Sequence, residues 1–430
     1  MQIRSGMKRA TAIVAAAVAL TLGLASCSGD AAAGGLATLA PDKTLPSDTQ
    51  KALQGAVEDA MTATGSSGAI VGVWVPWSGS WQKGLGTVSP DSKTPVDVDM
   101  TFRAGPITRA MTCDVLYALD DKGTVKLDDP VTDYVGGMPR FTDVTLQQLC
   151  DGTSGLGSYD TMLGGQSVTN PTRVWDPREL VGYGVGEVSG EVRPGVSYRD
   201  SDAGYQLLGL ALERASGKTM RELYEEEVFD PLDMTHTELP GSAAGLPVVD
   251  SSTALHGFYL ASKDKSGAYE CAKQTDVSEA SASYGGSDSG VVSNITDLAT
   301  YVHALAARTL VKSKTRFAEP LPVSSSAPTW FTTSGGAVQV GSFIGGYGSV
   351  RGYLTAAFSD PHSGLTVAVV LNNSSAGADV VAALARELAA IAVKAPAASG
   401  EKAVAVGLPW TAEQSHDVVA GEAICSAPKK

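Results

Sequence analysis

The side chains of this chain that could do chemistry are few, and their spacing excludes more than it offers. Five histidines, His236, His256, His303, His362 and His416, are scattered with neither helical nor Cys-x-x-Cys-type spacing, so no metal site and no cofactor are expected. Of five cysteines, Cys27 stands apart at the end of an apolar N-terminal run. The other four, Cys113, Cys150, Cys271 and Cys425, are an even number, which in an oxidising compartment favours two disulfides and leaves three pairings open. A formal net charge of −14 with no basic cluster argues against nucleic acid as a partner, because phosphate binding needs a basic footprint.

The segment before the first candidate strand sets the expected compartment. Arg4, Lys8 and Arg9 form a basic start, residues 10–24 are apolar, and Leu24-Ala25-Ser26-Cys27 places small residues before a cysteine. This ending resembles a bacterial lipobox, which implies cleavage before Cys27 and its diacylation, and two acyl chains hold a protein stably at a membrane. The expectation is an exported protein, lipid-anchored to the outer face of the cell membrane. The apolar run is short of the roughly 20 residues that span a bilayer. Residues 28–44 are small, polar and Gly/Ala-rich and read as a flexible tether.

The elements that must position any site lie in residues 45–395, with residues 396–430 as a C-terminal tail. Helical spacing runs over residues 48–61, and residues 69–75 form a β-branched run that resumes at Trp81 after Pro76 and Gly79. Pro106 starts a helix candidate that Gly123 stops. Further helices are expected over residues 145–151, 204–215, 220–229 and 296–307. Strands are expected over residues 337–344, 352–359 and 365–371, followed by an apolar helix over 376–393. Terminal strand sets with helices between them make an α/β (α+β) arrangement: one antiparallel sheet flanked by terminal helices, a helical lobe inserted at about residues 105–300, and a cleft between the two.

Four phrases carry a family resemblance. They are Phe102-Arg103-Ala104-Gly105 before a helix, Lys126-Leu127-Asp128-Asp129-Pro130-Val131, the stretch Gln148-Leu149-Cys150-Asp151-Gly152-Thr153-Ser154-Gly155-Leu156, and Phe229-Asp230-Pro231-Leu232-Asp233-Met234-Thr235. Together they resemble the serine β-lactamase-related family, which includes class C β-lactamases, low-molecular-weight penicillin-binding proteins and D-alanyl-D-alanine carboxypeptidases. Gly348-Ser349-Val350-Arg351-Gly352-Tyr353 looks particularly like the carboxypeptidases. The resemblance spans roughly residues 45 to 395 and implies a covalent mechanism, with a helix-start serine activated by a lysine one turn later.

The residues that mechanism needs are absent. The family's Ser-x-x-Lys falls on Pro106-Ile107-Thr108-Arg109, so a ring without a nucleophilic atom or backbone N–H stands where both are required. Arg109 stays protonated and cannot replace a lysine base. The family's Tyr-x-Asn falls on Asp200-Ser201-Asp202, by counting back from Gly204-Tyr205; an alternative register takes Tyr198-Arg199-Asp200. An Arg109–Asp202 ion pair across the old cleft is expected. The third motif falls on Gly346-Tyr347-Gly348, without its basic or imidazole side chain, and Arg351 is the nearest charge. Thr108, Arg109, Ser201, Asp202, Tyr347, Ser349 and Arg351 are expected to line the cleft. Thr108, Ser201 and Ser349 are the substitute nucleophiles to weigh, with no positioned neutral base for any of them. Ser154 lies in a turn the family uses structurally, and Ser289 in Asp288-Ser289-Gly290 is set aside as a nucleophile.

The resemblance also packs the helix carrying Cys113 against the one ending at Cys150. This implies a Cys113–Cys150 bridge and leaves Cys271 to tie down the tail through Cys425. The resulting expectation is a monomeric, non-catalytic member of the family that binds a peptidoglycan-related peptide or an envelope protein. Two rival readings are a serine hydrolase with a displaced nucleophile and a structural scaffold.

Overall fold

Residues 68–75 are apolar at every position, and the strand they form, β1 (Gly68–Val75), is buried on both faces. That pattern requires a layer on each side. The structure is a computed structural model describing Leu39 and residues 43–138, 141–188, 193–250 and 252–426. The expected signal segment, Cys27 and most of the expected tether lie outside the described residues.

β1 joins β2 (Gly79–Gly86), β3 (Leu321–Pro322), β4 (Phe331–Ser334), β5 (Ala337–Val340), β6 (Phe343–Val350), β7 (Tyr353–Ser359) and β8 (Thr366–Leu371) in one antiparallel sheet of order β2-β1-β8-β7-β6-β5-β4-β3. Val71 stands opposite Val369 and Ala356 opposite Val369 from the other side, so three apolar strands form the centre. Alternate residues divide two cores. Ala69, Val71, Val73 and Val75 face α1 (Ser47–Thr64) and the late helices, whereas Ile70 and Trp74 face the inserted lobe. The expected strand over residues 337–344 is two strands, because Gly341 turns the chain with φ 60°.

The inserted lobe contains α2 (Thr108–Asp121), α3 (Leu146–Cys150), α4 (Asp160–Thr169), α5 (Pro177–Gly186), α6 (Asp202–Ser216), α7 (Met220–Tyr224) and α8 (Gly286–Ser289). Its boundaries follow from capping. Thr145 and Gln148 form a capping box at α3, Ser201 Oγ accepts from Gly204 N at the start of α6, and Gly217 ends α6 in the left-handed region. α4 and α5 escaped the sequence reading, since Gly164, Gly165, Gly182, Gly184 and Gly186 dilute their apolar spacing.

α9 (Ile295–Ala307) returns to the sheet, and α10 (Ala378–Ala392) covers the opposite face beside α1. The tail is not an appendage. α11 (Ala412–Gly421) packs on α10 and α1, Trp410 donates its indole N–H to Arg386 O, and Val419 is buried. Both expected disulfides are present, Cys113–Cys150 with Cα atoms 5.6 Å apart and Cys271–Cys425 with 5.9 Å. No helix among the described residues is long and apolar enough to cross a membrane.

Candidate functional site

A cleft of about 590 Å³ opens between the sheet and the inserted lobe, and it receives side chains from α2, the start of α6, α8 and β6. Pro106 lies at its wall, in a 3-10 turn (Gly105–Ile107) that leads into α2. The sequence placed Pro106 in the first α-helical turn. The difference arises because Gly105 adopts φ 62°, a left-handed conformation, and the tighter turn absorbs that bend before α2 begins at Thr108.

The Pro106 ring rests on β6. A Cβ placed at Gly348 would meet ring atoms Cγ and Cδ at 2.4 and 2.6 Å, so strand and ring fit only because residue 348 has no side chain. Gly346 sits likewise against Ile107, whose Cγ1 is 3.2 Å from where a Cβ would be. The two glycines of the third motif therefore let β6 lie close against the helix tip. Here hydrocarbon fills that approach.

Arg109 is the electrostatic centre of the cleft. Its Nη1 donates to Asp200 Oδ1 at 2.5 Å and its Nε to Asp288 Oδ1 at 2.7 Å, with the guanidinium 5.0 Å from the Tyr205 ring centroid. Burial alone would ease its proton off, but the charges of Asp200 and Asp288 outweigh burial and hold Arg109 well above its ordinary pKa. Asp288 is 6% exposed at the side chain; burial pushes its carboxyl upward while Arg109 pulls it back.

The expected Arg109–Asp202 pair is not formed. Asp202 is the first residue of α6, and its carboxylate is taken by the opposite wall: Ser158 Oγ donates to Oδ2 at 2.6 Å, Asp160 N to Oδ2 at 3.1 Å and Tyr159 N to Oδ1 at 2.7 Å. Those donors fix the side chain away from the guanidinium, and Asp200 occupies Arg109 instead. Burial, aided by the negative charge of Asp288, raises the Asp202 carboxyl to about 7.

Two more expected cleft residues lie elsewhere. Thr108 is fully buried, with Oγ1 accepting from Val291 N, and Ser201 is 2% exposed, with Oγ donating to Gly157 O while capping α6. Each hydroxyl serves local backbone donors or acceptors, so neither reaches the cavity. Arg109, Asp202, Tyr347, Ser349 and Arg351 do line it, as do Pro106, Asp200 and Gly348. Arg351 spans from the sheet to the lobe, donating to Asp160 Oδ1 at 2.6 Å and to Ser167 Oγ at 2.6 Å. Tyr198 of the alternative register also lines the cleft, and the carboxylate that meets Arg109 is Asp200, the third residue of that register.

Sequence reasoning missed Asp160, Asp288 and Asp379 as cleft residues. Ser289, set aside as a nucleophile, lies in the lining beside Asp288. With Asp200 and Asp202, the wall carries five aspartates against two arginines. No local motif announces this set, whose members come from α4, the α6 start, α8 and α10. No histidine among the described residues lines the cleft; Val323, Phe331 and Val338 line it from the sheet side, and Tyr159, Tyr198 and Tyr284 from the lobe side. This constellation can bind and orient a ligand.

The sequence matches the family model described as Beta-lactamase over residues 53–391. The chain belongs to the beta-lactamase family. It is 30% identical over 195 residues to the D-alanyl-D-alanine-carboxypeptidase/endopeptidase AmpH of Escherichia coli strain K12, covering 44% of this chain and 50% of that protein. It is 33% identical over 138 residues to a D-aminopeptidase of Cereibacter sphaeroides strain KD131, covering 31% of this chain and 25% of the relative. The chain thus spans about half the length, or less, of these curated relatives. Among solved structures, the octameric penicillin-binding protein homologue from Pyrococcus abyssi superposes with a TM-score of 0.66 at 23% identity, over 80% of this chain and 77% of that one. A D-stereospecific amidohydrolase from a Streptomyces species gives 0.63 at 24% identity, over 76% and 94%. These likenesses establish the fold of this beta-lactamase-family protein.

Proposed function

We propose that this beta-lactamase-family protein is a non-catalytic binding member of the family, held at the outer face of the cell membrane through Cys27. The observation that carries the reading is the ring of Pro106, packed on the Gly348 backbone where the family's mechanism requires a hydroxyl and an oxyanion donor. Loss of a nucleophile costs about 10⁶ in rate and of an oxyanion donor about 10² to 10³. Arg109 cannot take up a proton from anything, because it is held in its charged form by two carboxylates.

The cleft that remains is a ligand cavity with an excess of negative charge. Arg109 and Arg351 are already neutralised by aspartates, whereas Asp379 has no ion-pair partner among the described residues, and Asp202, also without one, carries its charge only above about 7. That balance favours a ligand bearing ammonium or guanidinium groups, such as a wall-derived peptide or a basic segment of an envelope protein. The names of the relatives, which concern D-alanyl peptides and D-amino acids, support a peptidoglycan-related peptide.

Intact-mass measurement after exposure to a β-lactam and to a fluorophosphonate probe tests the inactivity. The expected result is an unchanged mass. An adduct on Ser289, Ser349 or any other cleft hydroxyl would establish the displaced-nucleophile hydrolase instead. Calorimetry with soluble peptidoglycan fragments then separates a binding protein from a scaffold, with binding expected for fragments carrying free amines and weakened at high salt. Palmitate labelling that disappears in Cys27→Ser checks the anchor.

A further inference from the structure

Behind the cleft wall lies a second, much smaller cavity of about 20 Å³, bounded by Arg103 and sharing Tyr284, Ser289, Val350 and Arg351 with the main cleft. Arg103 comes from a two-residue strand (Phe102–Arg103) paired with Val292–Ser293, and it is 4% exposed. A guanidinium stays protonated in a protein, so this is a buried positive charge. Among the described residues no carboxylate lies within ion-pair distance of it. Only its Nη2 is used, donating to the carbonyls of Gly245, Ser278 and Ala280, and its buried Nε has no hydrogen-bond partner. Burial accordingly pushes its pKa down, in contrast to Arg109 and Arg316, whose aspartates more than offset burial.

Buried charges in proteins are paired, because a desolvated ion without a counter-charge is strongly unfavourable. The other cavity wall includes Trp175, which is 3% exposed. A buried guanidinium with an unused Nε, beside a space slightly larger than a water needs, describes a receptor for a small anion.

We propose that this cavity is a binding site for a halide-sized monoanion, chloride under ordinary conditions, held by Arg103 against the Trp175 wall. A volume of about 20 Å³ matches a halide-sized ion. The bound ion neutralises Arg103 and stiffens the wall that carries Ser289 and Arg351. The site is independent of whether the cleft is catalytic.

Two measurements on the full chain test it. Crystals soaked in sodium bromide should show an anomalous bromide peak in contact with Arg103. Melting in sodium chloride against sodium gluconate, at constant ionic strength, should show a saturable chloride-specific rise of about 2 °C or more. Arg103→Gln should abolish the chloride dependence; if that variant does not fold, the wild-type bromide map and the wild-type salt comparison together still decide. A cavity holding only water, with identical melting in both salts, overturns the proposal. So does a bromide peak without a saturable solution effect, which would mark an adventitious ion only.

Discussion

At the scale of single residues, the proposed loss of chemistry is redundant. Restoring the serine and the lysine together, in Pro106→Ser/Arg109→Lys, is expected to give no covalent adduct with a β-lactam by mass spectrometry. Asp200 and Asp288 would hold the new ammonium in its protonated form, as they hold Arg109. A mass increase equal to the drug would show that the two carboxylates do not matter. Asp202 makes a second prediction. Its folded-state carboxyl titrates near 7, well above the 3.8 of an unperturbed aspartate, so the folded chain holds a proton that the unfolded chain has released between those values. Stability through this group therefore falls as pH rises from about 4 to about 7 and is level above. Asp202→Asn should remove that fall. Its advantage over the parent in denaturant titrations should grow by on the order of 4 kcal/mol between pH 4 and pH 8, whatever constant offset the lost acceptor adds. An advantage that is constant with pH would refute the assignment. Pro106, Arg109 and the glycines of the third motif were legible in the sequence because neighbouring phrases fix their place without gaps. The partner of Arg109 was not. Asp200 and Asp202 are two residues apart, and only the donors at Ser158, Tyr159 and Asp160 decide which one turns toward the guanidinium.

At the scale of elements, the contact between the 3-10 turn and β6 carries the most strain-sensitive fit. Gly348→Ala puts a methyl group into the Pro106 ring, and overpacking of this kind costs about 1–3 kcal/mol. The loss should appear as a lower denaturation midpoint, and Pro106→Ala in the same chain should recover most of it. Equal losses with and without the proline would place the clash elsewhere. Elements with a clean signal were readable from sequence: α6, for instance, has a serine cap, continuous apolar spacing and a terminal Gly217. α4 and α5 were not, because glycines break their periodicity, and the split between β5 and β6 hung on one left-handed Gly341.

At the scale of the whole molecule, the division into sheet and inserted lobe followed from the order of strand-like and helix-like segments, but the composition of the cleft did not. Arg109 and Asp288 are 179 positions apart, a separation no local pattern bridges. The Ala/Pro-rich stretch near residue 396 read as the end of the domain, yet Trp410 and Val419 bury themselves beyond it. The Cys271–Cys425 bridge encloses 154 positions, and its removal in Cys271→Ser/Cys425→Ser should cost about 2–5 kcal/mol. It should also expose residues 396–411 to proteolysis before the rest of the domain. A melting temperature and a cleavage pattern equal to the parent would mean that α11 holds on by packing alone. The connectivity has one more consequence. Counted along the domain, the first cysteine bonds to the second and the third to the fourth. A chain emerging from its N-terminus thus meets each correct thiol next in line, so oxidation in order of appearance yields the native pairs without an isomerase to reshuffle them.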